Sequence, residues 1–191
     1  MQTLNFTEFN LDNLKSNITI DIIGRDKNYR DILISKLIDH FTKKEKEIKI
    51  FDNFNIVEIN KLINEKDKKK EIILLLNNTE TNLDNEQTEF LWKLYANSVF
   101  NKVTIIRPIS TPTKNSALRI STDYVFLLPT KENQLLNQLF IAYSNKILSK
   151  IKIPKNADLL KLFTDIFIQN TQNNNSLLVD IYNSHTYIIL Y

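Results

Sequence analysis

Short, wholly apolar runs alternate along this chain with longer stretches in which apolar side chains recur every three or four residues. The short runs are rich in β-branched residues and bounded by polar ones, which predicts strands, and the spaced pattern predicts helices. "NITIDIIG" (17–24) predicts a buried strand. A helix follows from about Asp31, with Leu33, Ile34, Leu37, Ile38 and Phe41 on one face. Lys43 and Lys44 close it, where the helix dipole favours cations. "EIKIFD" (47–52) predicts a second strand, and "IVEINKLINEKDKKK" (56–70) a helix with a charged tail. "EIILLL" (71–76) is the third strand and stops at the turn-forming Asn77-Asn78-Thr79. A helix over about 85–101 carries Phe90, Leu91, Leu94, Tyr95 and Val99 on one side. "KVTIIR" (102–107) and "DYVFLL" (123–128) predict two more strands, separated by "PISTPTKNSALRIS" (108–121), whose two prolines predict a loop. Helices over 131–148 and 157–172 follow, and "SLLVDIYNSHTYIILY" (176–191) predicts a hairpin turning at Asn183-Ser184-His185.

Strands alternating with helices, with central strands apolar throughout, predict a mostly parallel sheet covered on both faces. The expected fold class is a three-layer α/β domain spanning 1–191, with a lead-in at 1–16, an α/β core at 17–148, and a helix plus terminal hairpin at 149–191. The absence of cysteine excludes disulfides and thiolate metal sites. "MQTLNFTEFNLDN" has neither the basic start nor the apolar centre of a secretory signal. No apolar run reaches the roughly 18–20 residues of a membrane helix. The net charge of +3 neither requires nor excludes nucleic acid. There is one glycine in 191 residues, against the usual ~7%. The richness in Asn, Ile and Lys suggests an AT-rich genome, and asparagines can take positive-φ positions in place of glycine. Sites that bring backbone close to a ligand usually need glycine, so its scarcity limits the chemistry.

That glycine, Gly24, stands where the first strand meets a polar loop and an amphipathic helix, the frame of the phosphate-binding loop G-x-x-x-x-G-K-[ST]. With Gly24 in the first place, Tyr29 falls on the second glycine, Arg30 on the lysine and Asp31 on the serine or threonine. "EIILLLNN" follows downstream like a Walker B strand, with Asn77 and Asn78 where two acids would stand. Then come "VTIIRP", "LRISTDYVFLL" and the closing apolar hairpin. In this order the chain resembles the HerA–FtsK superfamily of DNA-pumping ATPases, and within it the genome-packaging ATPases of poxviruses and other large DNA viruses. In those proteins a fourth strand ends in a glutamine sensor, often followed by Arg-Pro. Arg107-Pro108 match that pair, which puts Ile106 on the glutamine. The resemblance covers about 17–191. It implies a P-loop-NTPase-like fold, a location inside cells (the cytoplasm of an infected cell, or the virion), and a protein partner or homo-oligomer. It also implies that Arg107 and Arg119 lie where family arginines meet a neighbouring subunit's nucleotide or DNA.

The residues at the motif positions do not suit hydrolysis. Tyr29 at positive φ would cost on the order of 1 kcal/mol or more, and its ring would fill the phosphate channel. Arg30 keeps the lysine's charge but not its shape. Asp31 would set a carboxylate beside the phosphates, and two like charges ~4 Å apart repel by roughly 4 kcal/mol at an effective dielectric of ~20. A simpler reading has Asp26 or Asn28 capping the helix and Asp31 in its first turn, a built-in carboxylate filling the phosphate's electrostatic niche. Asn77 and Asn78 are neutral amides and cannot act as general base. Ile106 cannot sense a γ-phosphate. The expectation is therefore a pseudoenzyme with a structural or regulatory role and no cofactor. Two alternatives stand beside it: an atypical NTPase using Arg30 and Glu80 with ATP and Mg²⁺, and a DNA-binding module using Lys66–Lys70 or the lysines between Lys146 and Lys155. His40 and His185 are too few and too far apart for a metal site. No Ser–His–Asp arrangement is defensible, Trp92 reads as core packing, and Arg119 reads as the partner of a surface acid.

Overall fold

In the computed structural model, residues 6–43, 46–67, 70–77, 83–149, 151, 153 and 155–190 are described. Eight strands, β1 (Thr7–Glu8), β2 (Thr19–Ile23), β3 (Glu47–Phe51), β4 (Ile72–Leu76), β5 (Val103–Ile109), β6 (Tyr124–Leu127), β7 (Ser176–Asp180) and β8 (His185–Ile189), form one sheet in the order β1-β8-β7-β6-β2-β5-β4-β3. The five strands β6-β2-β5-β4-β3 are mutually parallel. The β7–β8 hairpin adds antiparallel to β6, and β1 lies parallel to β8 at the edge. Strands β2, β4, β5 and β7 are buried along their whole length, which is why they are mostly apolar on both faces rather than alternating, with a few buried polar residues such as Asp21 and Arg107.

The helices make the other two layers. On one face, α1 (Lys27–Thr42) sets Leu33, Leu37 and Phe41 against Ile20, Ile22, Ile73, Leu75, Ile106 and Phe126. The opposite face is covered in two parts. Helices α2 (Ile56–Glu65), α3 (Asn85–Ala96) and α4 (Ser116–Ile120) place Ile59, Leu91, Leu94 and Leu118 over Leu74, Leu76 and Ile105. Helices α5 (Asn133–Ile147) and α6 (Leu159–Asn170) place Leu135, Leu139, Phe163 and Phe167 over Val125, Leu127 and Val179. The three-layer α/β expectation and the terminal hairpin match this structure.

Several boundaries differ from the expectation. The lead-in is part of the fold: β1 pairs with β8, Phe9 packs against Tyr124 and Tyr187 (ring centroids 6.3 and 5.1 Å), and Leu14 is buried. Helix α1 starts at Lys27, four residues before Asp31, because Asp26 caps it. Helix α2 stops at Glu65 and α3 at Ala96, which leaves Val99 exposed rather than on the buried side. The loop expected at 108–121 loses its start to β5 and holds α4, capped by Asn115. Proline fits inside β5 for a topological reason. Alternate residues of a strand bond to opposite neighbours, and Ile105 and Ile109 bond towards β2, so Pro108 faces the β4 side. The β4–β5 pairing ends at Leu75–Ile106, so the missing N–H breaks no ladder bond.

An ion pair sits at the centre of the sheet. Asp21 of β2 and Arg107 of β5 stand directly opposite in register, and both are almost fully buried. Arg107 Nε donates to Asp21 Oδ1 at 2.9 Å and Nη2 to Oδ2 at 2.7 Å, a bidentate pair. The Tyr95 hydroxyl of α3 donates to Asp21 Oδ1 at 2.8 Å, and its ring lies 5.6 Å from the guanidinium carbon. Burial pulls the Arg107 pKa down, but Asp21 outweighs it and the net shift is upward. Tyr143 of α5 completes the surroundings, and its buried hydroxyl has no hydrogen-bond partner among the described residues.

Asp21→Asn and Arg107→Met should each destabilise by about 3–5 kcal/mol, because each leaves a buried charge uncompensated. The double change Asp21→Leu with Arg107→Met should cost less than either alone, as read by urea unfolding. Tyr143→Phe should be neutral at pH 7. Burial raises the hydroxyl pKa of both Tyr95 and Tyr143. The folded state therefore keeps protons that the unfolded chain releases near pH 10, and stability should fall as pH rises above about 10. Tyr143→Phe should flatten part of that fall.

Candidate functional site

In open α/β sheets, ligands bind outside the carboxyl ends of the strands, where the strand order reverses. Here that point is β2: the chain leaves it through α1 towards β3 on one side, while β5 crosses over to β6 on the other. Gly24 follows β2 directly. Its N–H donates to the Ile109 carbonyl at 3.1 Å, continuing the ladder. Its φ is not positive. It is glycine for space: a Cβ built there would lie 2.6 Å from Leu128 Cβ.

Only Arg25 and Asp26 separate Gly24 from α1. Asp26 Oδ1 accepts the N–H groups of Asn28 (2.9 Å) and Tyr29 (3.3 Å), and its carbonyl accepts the Arg30 N–H at 3.2 Å. These are the amides that a wider loop would turn towards a phosphate. Arg25 forms an ion pair with Glu132, the residue that precedes α5, and so ties the short loop across the end of β6. Tyr29, Arg30 and Asp31 all lie in α1. The positive-φ strain expected at Tyr29 does not arise: its backbone is helical, and its side chain packs partly buried against the α1-face core. Arg30 is half-buried and Asp31 exposed.

The other motif positions are dispersed. Asn77 follows β4, and its amide donates to Asp52 Oδ1 at 3.2 Å. Asn78 and Glu80 lie outside the described residues, as do Lys68 and Lys69. Ile106 is buried mid-strand in the α1-face core, opposite Ile20. The residues at the strand end beside the loop are Ile109 and Ser110, three residues or about 10 Å further along. The strand expected to end at Arg107 runs on to Ile109. Arg107, expected at an interface, is instead the interior partner of Asp21. Among the described residues Arg119 pairs with no acid: its Nη1 donates to the carbonyls of Thr113 (2.7 Å) and Lys114 (3.0 Å), closing the segment before α4. Trp92, expected in the core, is 42% exposed. His40 lies beside Asp12 (3.4 Å), far along the chain from the exposed His185, and no cluster of metal-ligating side chains occurs among the described residues.

An open depression of ≈ 390 Å³ lies at the same edge of the sheet, between the starts of α3 and α4, lined by Leu83, Asp84, Thr88, Thr113 and Lys114 among others. Its helix ends are already satisfied, by a capping box between Asp84 and Gln87 and by Asn115 on Leu118 N–H. Asp84-x-x-Gln87 and Asn115 were the sequence signals for these caps.

No protein-family model matches the chain, and no curated protein matches it. Solved structures do. The fold is similar to that of solved genome packaging NTPases. The genome packaging NTPase B204 from Sulfolobus turreted icosahedral virus 2, in complex with AMPPCP, is 12% identical over 91% of this chain and 98% of its own, with a TM-score of 0.60. The same protein with sulfate gives 12% identity, 93% and 98% coverage, and a TM-score of 0.60. B204, the DNA-packaging ATPase from Sulfolobus turreted icosahedral virus, gives 13%, 92%, 98% and 0.52. At such identities the likeness is one of fold.

Gly24→Ala should destabilise by about 1–3 kcal/mol in urea unfolding through the contact with Leu128. Leu128→Ala should not relieve it, because the atom in the way is the Cβ. Asp26→Ala should cost about 1 kcal/mol as a lost cap.

Proposed function

We propose that this chain is a catalytically inactive relative of the packaging ATPases, with a structural or regulatory role in a DNA virus particle or its assembly. The observation that carries this reading is the Asp26 carboxylate on the first amides of α1, where a phosphate-binding loop offers those amides to its ligand. A phosphate brought there would face a fixed negative charge, and at ~4 Å and an effective dielectric of ~20 the repulsion is roughly 4 kcal/mol. Among the described motif positions, Asn77 is a neutral amide bonded to Asp52 and Ile106 is core, and neither supplies replacement chemistry. A domain that keeps the sheet and all three layers without the cradle is suited to holding a position in an assembly. Its partner on this reading is an active packaging subunit, a second copy or a particle component, inside the infected cell or the virion. Neither ATP nor Mg²⁺ belongs to this role.

Thermal unfolding with and without Mg²⁺ and ATP tests this. A ligand at one hundred times its Kd would stabilise the fold by ~2.7 kcal/mol, a shift of several degrees. The expected result is no shift at millimolar ligand and no phosphate release. A shift abolished by Arg30→Ala, or steady hydrolysis, would instead establish an atypical NTPase.

A further inference from the structure

The sheet ends on one side at β3, and this edge is open. The other edge is blunted, because β1 is only two residues long. Strand β3 has five residues, contains no proline, and pairs with β4 without a bulge. Alternate backbone groups of a strand point to opposite sides, so half of those in β3 face away from β4. Among the described residues, no other backbone group bonds to them. Ile50 is 56% exposed. An apolar β-branched residue this open on an unpaired strand marks an edge that can accept another strand.

The side chains of β3 divide by face. Ile48 packs on the α1 side, and Ile50 shares that side by alternation. Phe51 packs on the α2 and α3 side, which it shares with Glu47 and Lys49. Glu47 and Lys49 flank Ile48 and form an ion pair along the strand. Reversed, this charge pattern is its own complement. Suppose two copies of β3 run antiparallel about a two-fold axis perpendicular to the sheet. Opposite residues then share a face only if the axis passes through a residue. With the axis at Ile48, Glu47 of each copy faces Lys49 of the other, and Ile48 meets its own copy. Ile50 falls opposite Lys46, whose ammonium lies 5.4 Å from the Phe41 ring centroid. With the axis at Glu47 or Lys49, a charge meets its own copy. With the axis at Ile50, Ile48 meets Asp52. Unlike charges opposite each other stabilise a ladder and like charges weaken it, so the pattern selects the first register. In the single chain the two charges already satisfy each other. The driving force for pairing is therefore the backbone bonds and the contacts of Ile48 and Ile50, and the charges choose the alignment.

We propose that β3 pairs with β3 of a second copy of this chain, antiparallel and centred on Ile48, so that one sheet runs through a two-fold dimer. The contact closes on itself and leaves only the short β1 edges free, so assembly stops at two. The inference gives a second copy its place on the surface and does not depend on the fate of the nucleotide site, since β3 stands three strands from β2.

Sedimentation equilibrium of the full chain, without nucleotide, tests this separately from the reading of the loop. A concentration-dependent equilibrium between monomer and dimer is expected. Glu47→Lys and Lys49→Glu should each weaken the dimer about tenfold or more, because each sets two like-charge pairs across the axis. An equal mixture of the two variants should restore it, because the charges of one chain then oppose unlike charges in the other. Loss of the ion pair within the strand cannot produce that rescue. One chain carrying both Glu47→Lys and Lys49→Glu should dimerise as the original does. Both side chains are well open to solvent, and unchanged thermal unfolding would show that each variant keeps its fold. A monomer at every concentration, single variants that dimerise undiminished, or a mixture that stays monomeric would each overturn the proposal.

Discussion

Taking Asp21 and Arg107 out of water together is the constraint around which the sheet is built. A carboxylate and a guanidinium in the middle of two adjacent parallel strands must face each other, because at that depth either charge left uncompensated is costly. They fix the β2–β5 register, since a slip by one residue would turn one of them to the opposite face. They also fix where α3 lies, because Tyr95 must reach Asp21. The start of β2 is fixed by a second polar contact, Asp123 accepting the Thr19 N–H at 2.7 Å, which sets β6 on the other side. Two charged contacts thus determine the neighbours of the central strand, and the apolar clusters fill in around them.

The same pair explains why motif matching misplaces Arg107. An Arg-Pro dipeptide at the end of a strand reads as a surface feature. Here the strand continues through the proline because the β4 ladder has already ended, and the arginine points inward. What was legible in the sequence is whatever periodicity and runs of apolar residues encode: the five parallel strands, the longer helices and the terminal hairpin, but not the short α4. What was not legible depends on partners distant in sequence. Nothing in "TIDIIG" reveals that Asp21 is paired, nothing in "NFTEFN" reveals that Phe9 meets Tyr187, and nothing near Trp92 reveals that it lies on the outward face of its helix.

At the loop, the sequence supplied both readings and geometry distinguishes them. Treating Gly24 as the opening of a wide phosphate loop needs the helix to begin near Arg30. An aspartate two residues after the glycine starts it earlier, and a cap once formed uses up the amides it binds. The glycine then persists for another reason, the closeness of Leu128. At this position the demand for glycine is one of steric room rather than of conformational freedom.

The pairing of β1 with β8 has a consequence for how the molecule assembles. The sheet's outermost strand comes from one end of the sequence and its immediate neighbour from the other, while β2 waits for β5 and β6 before it has any partner. The pairings of β1 with β8 and of β2 with β5 and β6 join strands far apart in sequence, so the sheet cannot zip up wholly in chain order, and long-range pairing of this kind slows folding. During synthesis the segment around Phe9 stays undocked until the last strand leaves the ribosome. Through that interval its aromatic and apolar side chains are open to chaperones, or to a second nascent chain offering the same β8 edge.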